Sequence, residues 1–145
     1  MSLKIKDISI LEYERVIHAT NETTSLNCII AIHNTKLGPA LGGVRSWPYN
    51  NFEEHLNDAL RLSKAMSLKN SVCGINFGGG KAVINLKGKK KTPDLYESYG
   101  ELVDKLNNKY IIEIITNATD NIFCLLYFSF KNNIPKKTLK IGIIK

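Results

Sequence analysis

The chain has 145 residues, of which 43% are apolar and 23% charged, a composition typical of one globular domain with a sizeable core. The formal net charge is +7, but only Arg15, Arg45 and Arg61 are arginines, which disfavours nucleic acid as a partner because the guanidinium group is the preferred phosphate and base reader. The widely spaced cysteines and the lack of a long apolar run predict a cytoplasmic protein with no membrane partner and no metal site.

The first half of the chain reads as short strands broken by polar turns. Residues 8–13 are predicted to form a short helix, and residues 15–19 and 26–33 are predicted to form a β-hairpin. Residues 40–45 resume extended chain with two glycines inside it. Paired glycines weaken a strand, so they indicate either a bulge or backbone that is exposed to a ligand.

Two helices are signalled by their first residues. Asn51 followed three residues later by Glu54 predicts a capped helix near 52–67, with Lys69 just past its end. Thr92 and Pro93 are typical of an N-cap and a first helical position, and they predict a second helix near 94–107. Both helices have one apolar face for packing on a sheet.

The stretch 69–82 combines two lysines with a run of glycines. Gly78, Gly79 and Gly80 lack β-carbons immediately before Lys81, so a small ligand could approach the backbone where a cation points. We predict that the three glycines form a loop of a binding site, and a glycine-rich turn that binds nothing is the alternative.

Nucleotide phosphate is an unsuitable ligand for this stretch. A phosphate loop would need glycine and a hydroxyl where the chain has Ile75 and Ala82, and no G-x-G-x-x-G fingerprint occurs anywhere in the sequence.

The pattern as a whole predicts an α/β domain with a mixed β-sheet and covering helices. The strands expected in that sheet are residues 28–33, 40–45, 71–76 and 82–86. If the lysines at 69 and 81 form a site, both must lie on the same side of this sheet.

Several separate motifs resemble, in order and in spacing, the N-terminal domain of the glutamate/leucine/phenylalanine/valine dehydrogenase family, nearest to its leucine dehydrogenase branch. The motifs lie at residues 29–33, 37–45, 47–49, 58–62, 69–70 and 78–81. The resemblance covers about residues 10 to 111, and it implies the substrate-binding and dimerisation domain of an NAD-dependent amino-acid dehydrogenase.

The resemblance implies a role for each matching position. Lys69 would bind the substrate α-carboxylate, and Lys81 would be the catalytic lysine that polarises the carbonyl oxygen and activates water. Gly42 and Gly43 would line the site with backbone. Leu41, where glutamate-specific relatives carry a lysine, would form an apolar wall, which favours a branched-chain amino or 2-oxo acid as the ligand.

Two departures from the family pattern limit what the resemblance implies. After Tyr110 and Ile111 the family has a catalytic aspartate, but this chain has none nearby and Glu113 is the nearest carboxylate. The family also continues into a Rossmann domain for NAD, whereas residues 113–145 show no motif of that domain and suggest a truncated or frameshifted tail. We therefore divide the chain into 1–112 and 113–145, and expect no cofactor to bind this chain alone.

Three functional classes remain open at this stage. The chain could be a substrate domain that depends on a separate cofactor domain, a catalytically dead remnant that keeps a binding or oligomeric role, or an unrelated basic binding protein. The family resemblance and the dense apolar run at 122–130 both predict a homo-oligomer.

Overall fold

The computed structural model describes residues 3–112, which form one mixed β-sheet with a helix on each face. The strands are β1 (Lys4–Ile8), β2 (Arg15–Asn21), β3 (Leu26–Asn34), β4 (Ala40–Gly42), β5 (Val44–Trp47), β6 (Gly78–Asn85) and β7 (Tyr110–Ile112). The helices are α1 (Phe52–Val72) and α2 (Pro93–Asp104). The α/β prediction is confirmed.

Within the described residues the strand order is β1-β2-β3-β6-β4-β7, and β5 also pairs with β6. Strands β1, β2, β3 and β6 are successively antiparallel, while β4 and β5 run parallel to β6 and β7 runs parallel to β4. The predicted hairpin is confirmed as β2 and β3. Strand β6 is central, and its side chains point alternately to the two faces of the sheet.

Each face of the sheet has its own hydrophobic core because side chains alternate along the strands. On one face α2 packs through Tyr99 against residues that include Ile30. On the other face α1 packs through Ala59 against residues that include Ile29. Burial on both faces explains why β3 reads as a nearly continuous apolar run.

Helix α1 begins as predicted but ends later. The Asn51 side chain accepts a hydrogen bond from the Glu54 backbone amide at 2.8 Å, which is the expected cap. The helix then continues to Val72, so the strand predicted at 71–76 is wrong and Lys69 lies in the last helical turn. The apolar residues near 72 resembled a strand, but the first residue that cannot continue a right-handed helix is Gly74, with φ of 67°.

The N-terminal prediction also needs correction. Residues 8–13 form no helix, because β1 ends at Ile8 and a turn follows in which Glu12 has a φ of 71°. Strand β1 was missed since its exposed residues show little of a core pattern, and it is held by pairing with β2. Helix α2 is confirmed with its Thr92 cap and Pro93 at the first position.

The three glycines do not form a loop between two strands. Gly78, Gly79 and Gly80 are the first residues of β6, which then continues through Lys81 to Asn85. Predictions about Glu113, the apolar run at 122–130 and the nature of the tail lie outside the described residues. No helix among residues 3–112 is long and apolar enough to cross a membrane.

Candidate amino-acid site

The paired glycines lie where β4 gives way to β5 along the edge of β6. Leu41 pairs with Gly79 and Val44 pairs with Ala82, so the register is the same on both sides of the break at Gly43. Gly42 has no room for a side chain, because a β-carbon there would lie 1.7 Å from the backbone oxygen of Gly80. The backbone at this junction is therefore held tightly against β6.

Lys81 reaches this junction from β6. Its Nζ lies 3.3 Å from the point that a β-carbon on Gly43 would occupy, so the missing side chain leaves space for the ammonium group beside the backbone. Lys81 alternates along β6 with Gly80 and shares a face with Val83, which packs against α1. The lysine thus points to the α1 side of the sheet, where it is half-buried.

The glycines before Lys81 bring neighbouring parts of the protein close together. A β-carbon on Gly79 would lie 2.2 Å from the backbone nitrogen of Ser67 in α1, and one on Gly80 would lie 2.6 Å from the ring of Tyr110. The space that we assigned to a ligand at these residues is filled by the protein itself. Their contribution to a site is to let α1 and β7 pack directly on β6 next to Lys81.

Lys69 is an exposed residue in the last turn of α1. The next residue, Asn70, is buried and donates from its side-chain nitrogen to the backbone oxygen of Gly78 at 2.7 Å. This hydrogen bond ties the end of α1 to the start of β6. Because α1 covers the face to which Lys81 points, the last turn with Lys69 lies on the same side of the sheet as Lys81. That the two side chains face a common cleft, and the role of each, stays a prediction.

Leu41 lies at the same edge. It is half-buried, and its pairing with Gly79 puts it on the α1 face by strand alternation. The structure therefore brings Leu41, Gly43 and Lys81 together on one face, while Gly42 contributes backbone. The apolar wall inferred from Leu41 stays a prediction.

A polar cluster that the sequence analysis missed lies under the end of α1. The Nδ1 atom of His33 is 2.8 Å from the Ser67 hydroxyl and accepts from the Asn34 side-chain nitrogen at 2.9 Å. Burial, followed by the charge of Lys64, lowers the pKa of His33. The cluster secures α1 to β3 beside Gly79. The sequence around a single histidine in a strand does not show which distant residue will contact its ring. Only the packing of α1 on β3 reveals this cluster.

A second group of polar residues joins β5 to α1. The Asp58 carboxylate accepts hydrogen bonds from the Tyr49 hydroxyl and from Arg61 at 2.7 Å, and its second ion pair is with Arg45 at 3.3 Å. Burial opposes the charge of Asp58, but the hydrogen bonds from Tyr49 and Arg61 outweigh it and lower the pKa of the carboxyl group. This group holds the strand that follows Gly43 against the helix that carries Lys69.

The described residues offer no site suited to a dinucleotide. Pyrophosphate binds at the free amides of a helix N-terminus, but α1 is capped by Asn51 and α2 by Thr92, and carboxylates occupy the first turn of both. Among residues 3–112 there is also no group of three or more potential metal ligands. We assign no residue here to NAD and derive no step through it.

The fold and the site together define the class of domain. It is an α/β domain in which a half-buried lysine lies beside a segment of two glycines. The family model described as Glu/Leu/Phe/Val dehydrogenase, dimerisation domain, matches residues 9–121. The chain therefore belongs to the Glu/Leu/Phe/Val dehydrogenase family, as its motifs predicted.

Similar proteins include amino-acid dehydrogenases of several names. The chain is 46% identical over 101 residues to a leucine dehydrogenase of Geobacillus stearothermophilus, covering 69% of this chain and 28% of that protein. It is 45% identical over 119 residues to a phenylalanine dehydrogenase of Caldalkalibacillus thermarum, covering 81% and 32%. The chain thus spans about a third of the length of these relatives.

Solved structures agree on the fold. The crystal structure of L-tryptophan dehydrogenase from Nostoc punctiforme matches with a TM-score of 0.73 and 42% identity, over 80% of this chain and 35% of that one. A hetero-hexameric glutamate dehydrogenase from Thermus thermophilus matches with a TM-score of 0.59 at 19% identity, over 91% and 31%. At that identity the second match supports the fold alone.

Proposed function

We propose that this chain provides the amino-acid side of an amino-acid dehydrogenase, binding a branched-chain amino acid or its 2-oxo acid. The observation that carries the proposal is the placement of the Lys81 ammonium group beside the Gly42–Gly43 backbone, on the face covered by α1. Lys69, in the last turn of that helix, supplies a second positive charge on the same side.

The two lysines have different chemical tasks in this proposal. Lys69 pairs with the ligand carboxylate as a point charge, which suits its exposed position. Lys81 stands in a half-buried position against backbone, where a cation can polarise a carbonyl oxygen with less competition from bulk water than at an exposed position. Two cations at different depths would orient a 2-oxo acid with its carboxylate outward.

The choice of ligand rests on Leu41. A side chain of this kind favours an apolar substrate over a dicarboxylate, because it offers no partner for a second charge. Relatives of similar identity are named leucine and phenylalanine dehydrogenases, so both aliphatic and aromatic ligands need to be compared. We propose the aliphatic, branched-chain class.

We also propose that residues 1–145 alone do not reduce NAD. Their sequence contains no G-x-G-x-x-G fingerprint, and both described helix N-termini are capped and acidic. Positioning of the two reactants supplies on the order of 7–11 kcal/mol of catalysis in favourable cases. Without a bound nicotinamide that contribution is missing, and hydride transfer should be undetectable.

The test is calorimetric titration of the purified protein with leucine and with 4-methyl-2-oxopentanoate. Replacing Lys69→Ala should weaken binding by about tenfold or more, the loss typical of a hydrogen bond to a charged group. The matched control is Lys64→Ala, an exposed lysine of the same helix that pairs with Glu12 at 3.3 Å. Equal binding by the wild type and Lys69→Ala would remove the carboxylate site.

One observation favours a second function, that of a catalytically dead remnant with a binding or oligomeric role. No aspartate follows Tyr110 and Ile111 until Asp120, so a proton-transfer group of the family is missing from its expected place. An absorbance assay of NAD reduction tests this alternative together with the proposed inactivity of the isolated chain. Turnover by the wild type that is abolished in Lys81→Ala would overturn the remnant alternative.

Self-association is part of the proposal. The matched family model is that of a dimerisation domain. Within the described residues β1 pairs only with β2, so its outer edge presents backbone groups that a second copy could use. The protein is therefore proposed to be a homodimer or larger.

A further inference from the structure

Tyr110 contacts the paired glycines from the face opposite Lys81. This tyrosine is the first residue of β7 and is only 2% exposed. Its hydroxyl lies 3.0 Å from the backbone oxygen of Gly42 and 3.0 Å from that of Gly43. Its ring packs where a β-carbon of Gly80 would stand, which places it on the α2 side of β6.

Two consecutive carbonyl groups bound to one hydroxyl are incompatible with a regular strand. Along a strand successive carbonyls point in opposite directions, whereas those of Gly42 and Gly43 both point toward the tyrosine. Because a peptide unit is planar and trans, the amide groups of Gly43 and Val44 point away from that hydroxyl. The two hydrogen bonds coincide with the break between β4 and β5 at Gly43.

Of the two glycines, Gly43 faces the Lys81 side chain from the other side. The Lys81 Nζ lies 3.3 Å from the β-carbon position of Gly43, so the backbone at Gly43 lies between the ammonium group and the phenol. A change in the peptide orientation at Gly42 or Gly43 would alter the surface that a ligand meets beside Lys81.

We propose that Tyr110 is a positioning residue of the amino-acid site, whose hydroxyl sets the orientation of the Gly42–Gly43 backbone beside Lys81. The inference rests on the proposed function, since it concerns the same ligand. Tyr110 does not touch the ligand, and it acts through the backbone that does. Gly43 O also accepts from the Ala82 amide at 3.2 Å, so removal of the hydroxyl should affect the Gly42 carbonyl most.

The test compares Tyr110→Phe with Tyr99→Phe in the 145-residue chain. Both tyrosines are buried on the α2 side, and Tyr99 belongs to α2 and is not among the atoms nearest the β-carbon positions of Gly42 and Gly43. Calorimetry with 4-methyl-2-oxopentanoate should show affinity reduced by about fivefold in Tyr110→Phe, the typical effect of one hydrogen bond, and little changed in Tyr99→Phe. Thermal unfolding of both variants measures any general loss of stability.

A second readout is independent of the ligand. In nitrogen-15 NMR spectra, Tyr110→Phe should shift the amide resonances of Gly43 and Val44 and leave those near Tyr99 unchanged. If Tyr110→Phe does not fold, 3-fluorotyrosine incorporated at position 110 keeps the ring and makes the hydroxyl a stronger donor, and the same two amides should shift.

The outcomes separate the inference from the function on which it rests. Binding by Tyr110→Phe equal to wild type, while Lys69→Ala loses binding, overturns the positioning role and leaves the proposed function intact. Equal weakening by Tyr110→Phe and Tyr99→Phe also overturns it, because the effect is then one of stability. If wild type binds no amino or 2-oxo acid, both the proposed function and the positioning role are wrong.

Discussion

Replacing Gly79 with alanine should test whether the glycines serve to seat α1 on β6. The new β-carbon would lie 2.2 Å from both the backbone nitrogen and the hydroxyl of Ser67, and 2.6 Å from the backbone oxygen of Ser63. Ordinary van der Waals contact begins near 3.4 Å, so the end of α1 must retreat by about 1 Å. Two of these three atoms are backbone, so rotation of a side chain cannot relieve the overlap.

The cost follows from the contacts that the retreat disturbs. Overpacking of this kind costs about 1–3 kcal/mol. Loss of the buried hydrogen bond from Asn70 to Gly78, 2.7 Å long, adds about 1–3 kcal/mol. Alanine recovers about 0.4–1 kcal/mol by reducing the entropy of the unfolded chain. From the middle of these ranges we expect Gly79→Ala to lower the free energy of unfolding by about 3 kcal/mol, a large part of the stability of a small domain.

Urea unfolding followed by circular dichroism measures this loss, and Gly43→Ala is its control. A β-carbon on Gly43 would meet the Lys81 Nζ at 3.3 Å, the far end of a long side chain and not backbone, so its effect on stability should stay within about 1 kcal/mol. The Gly79 variant should also bind the 2-oxo acid weakly, because the helix that carries Lys69 has moved. Equal stability of the two variants would refute the close packing of α1 on β6.

Three further predictions concern other parts of the described chain. The native pKa of Asp58 is lowered, so its stabilising contribution should be present above about pH 4 and be lost as the pH falls through that lowered pKa. Asp58→Asn should therefore unfold at a lower urea concentration near neutral pH, and its free energy of unfolding should fall less as the pH is lowered. A free energy of unfolding that depends on pH as in the wild type would contradict the ion-pair group. Cys73 is exposed while Cys28 is buried with a raised pKa, so peptide mapping should find maleimide on Cys73 in the native protein and on Cys28 only after unfolding. Sedimentation velocity should show a dimer or larger species, and a clean monomer at micromolar concentration would contradict self-association.

The motifs identified the family, but they did not indicate how the glycines are used. Glycine content predicts a turn or an open backbone, and that inference placed Gly78–Gly80 in a loop. In the structure the same residues begin the central strand, because the absence of β-carbons there also permits close packing by a helix and an aromatic ring. The two possibilities have the same local signature, and only the partners distinguish them.

What the sequence determined by itself is the set of features that depend on neighbouring residues. The cap at Asn51, the start of α2 at Thr92 and Pro93 and the apolar run of β3 are local, because the groups involved are only a few residues apart. The tertiary structure decided the rest: that α1 continues past Lys69, that Lys81 points to the same side as α1, and that Tyr110 supports the backbone of Gly42 from the far face. These outcomes depend on strands and helices that are distant in the chain, and their energies come from contacts that no local pattern encodes.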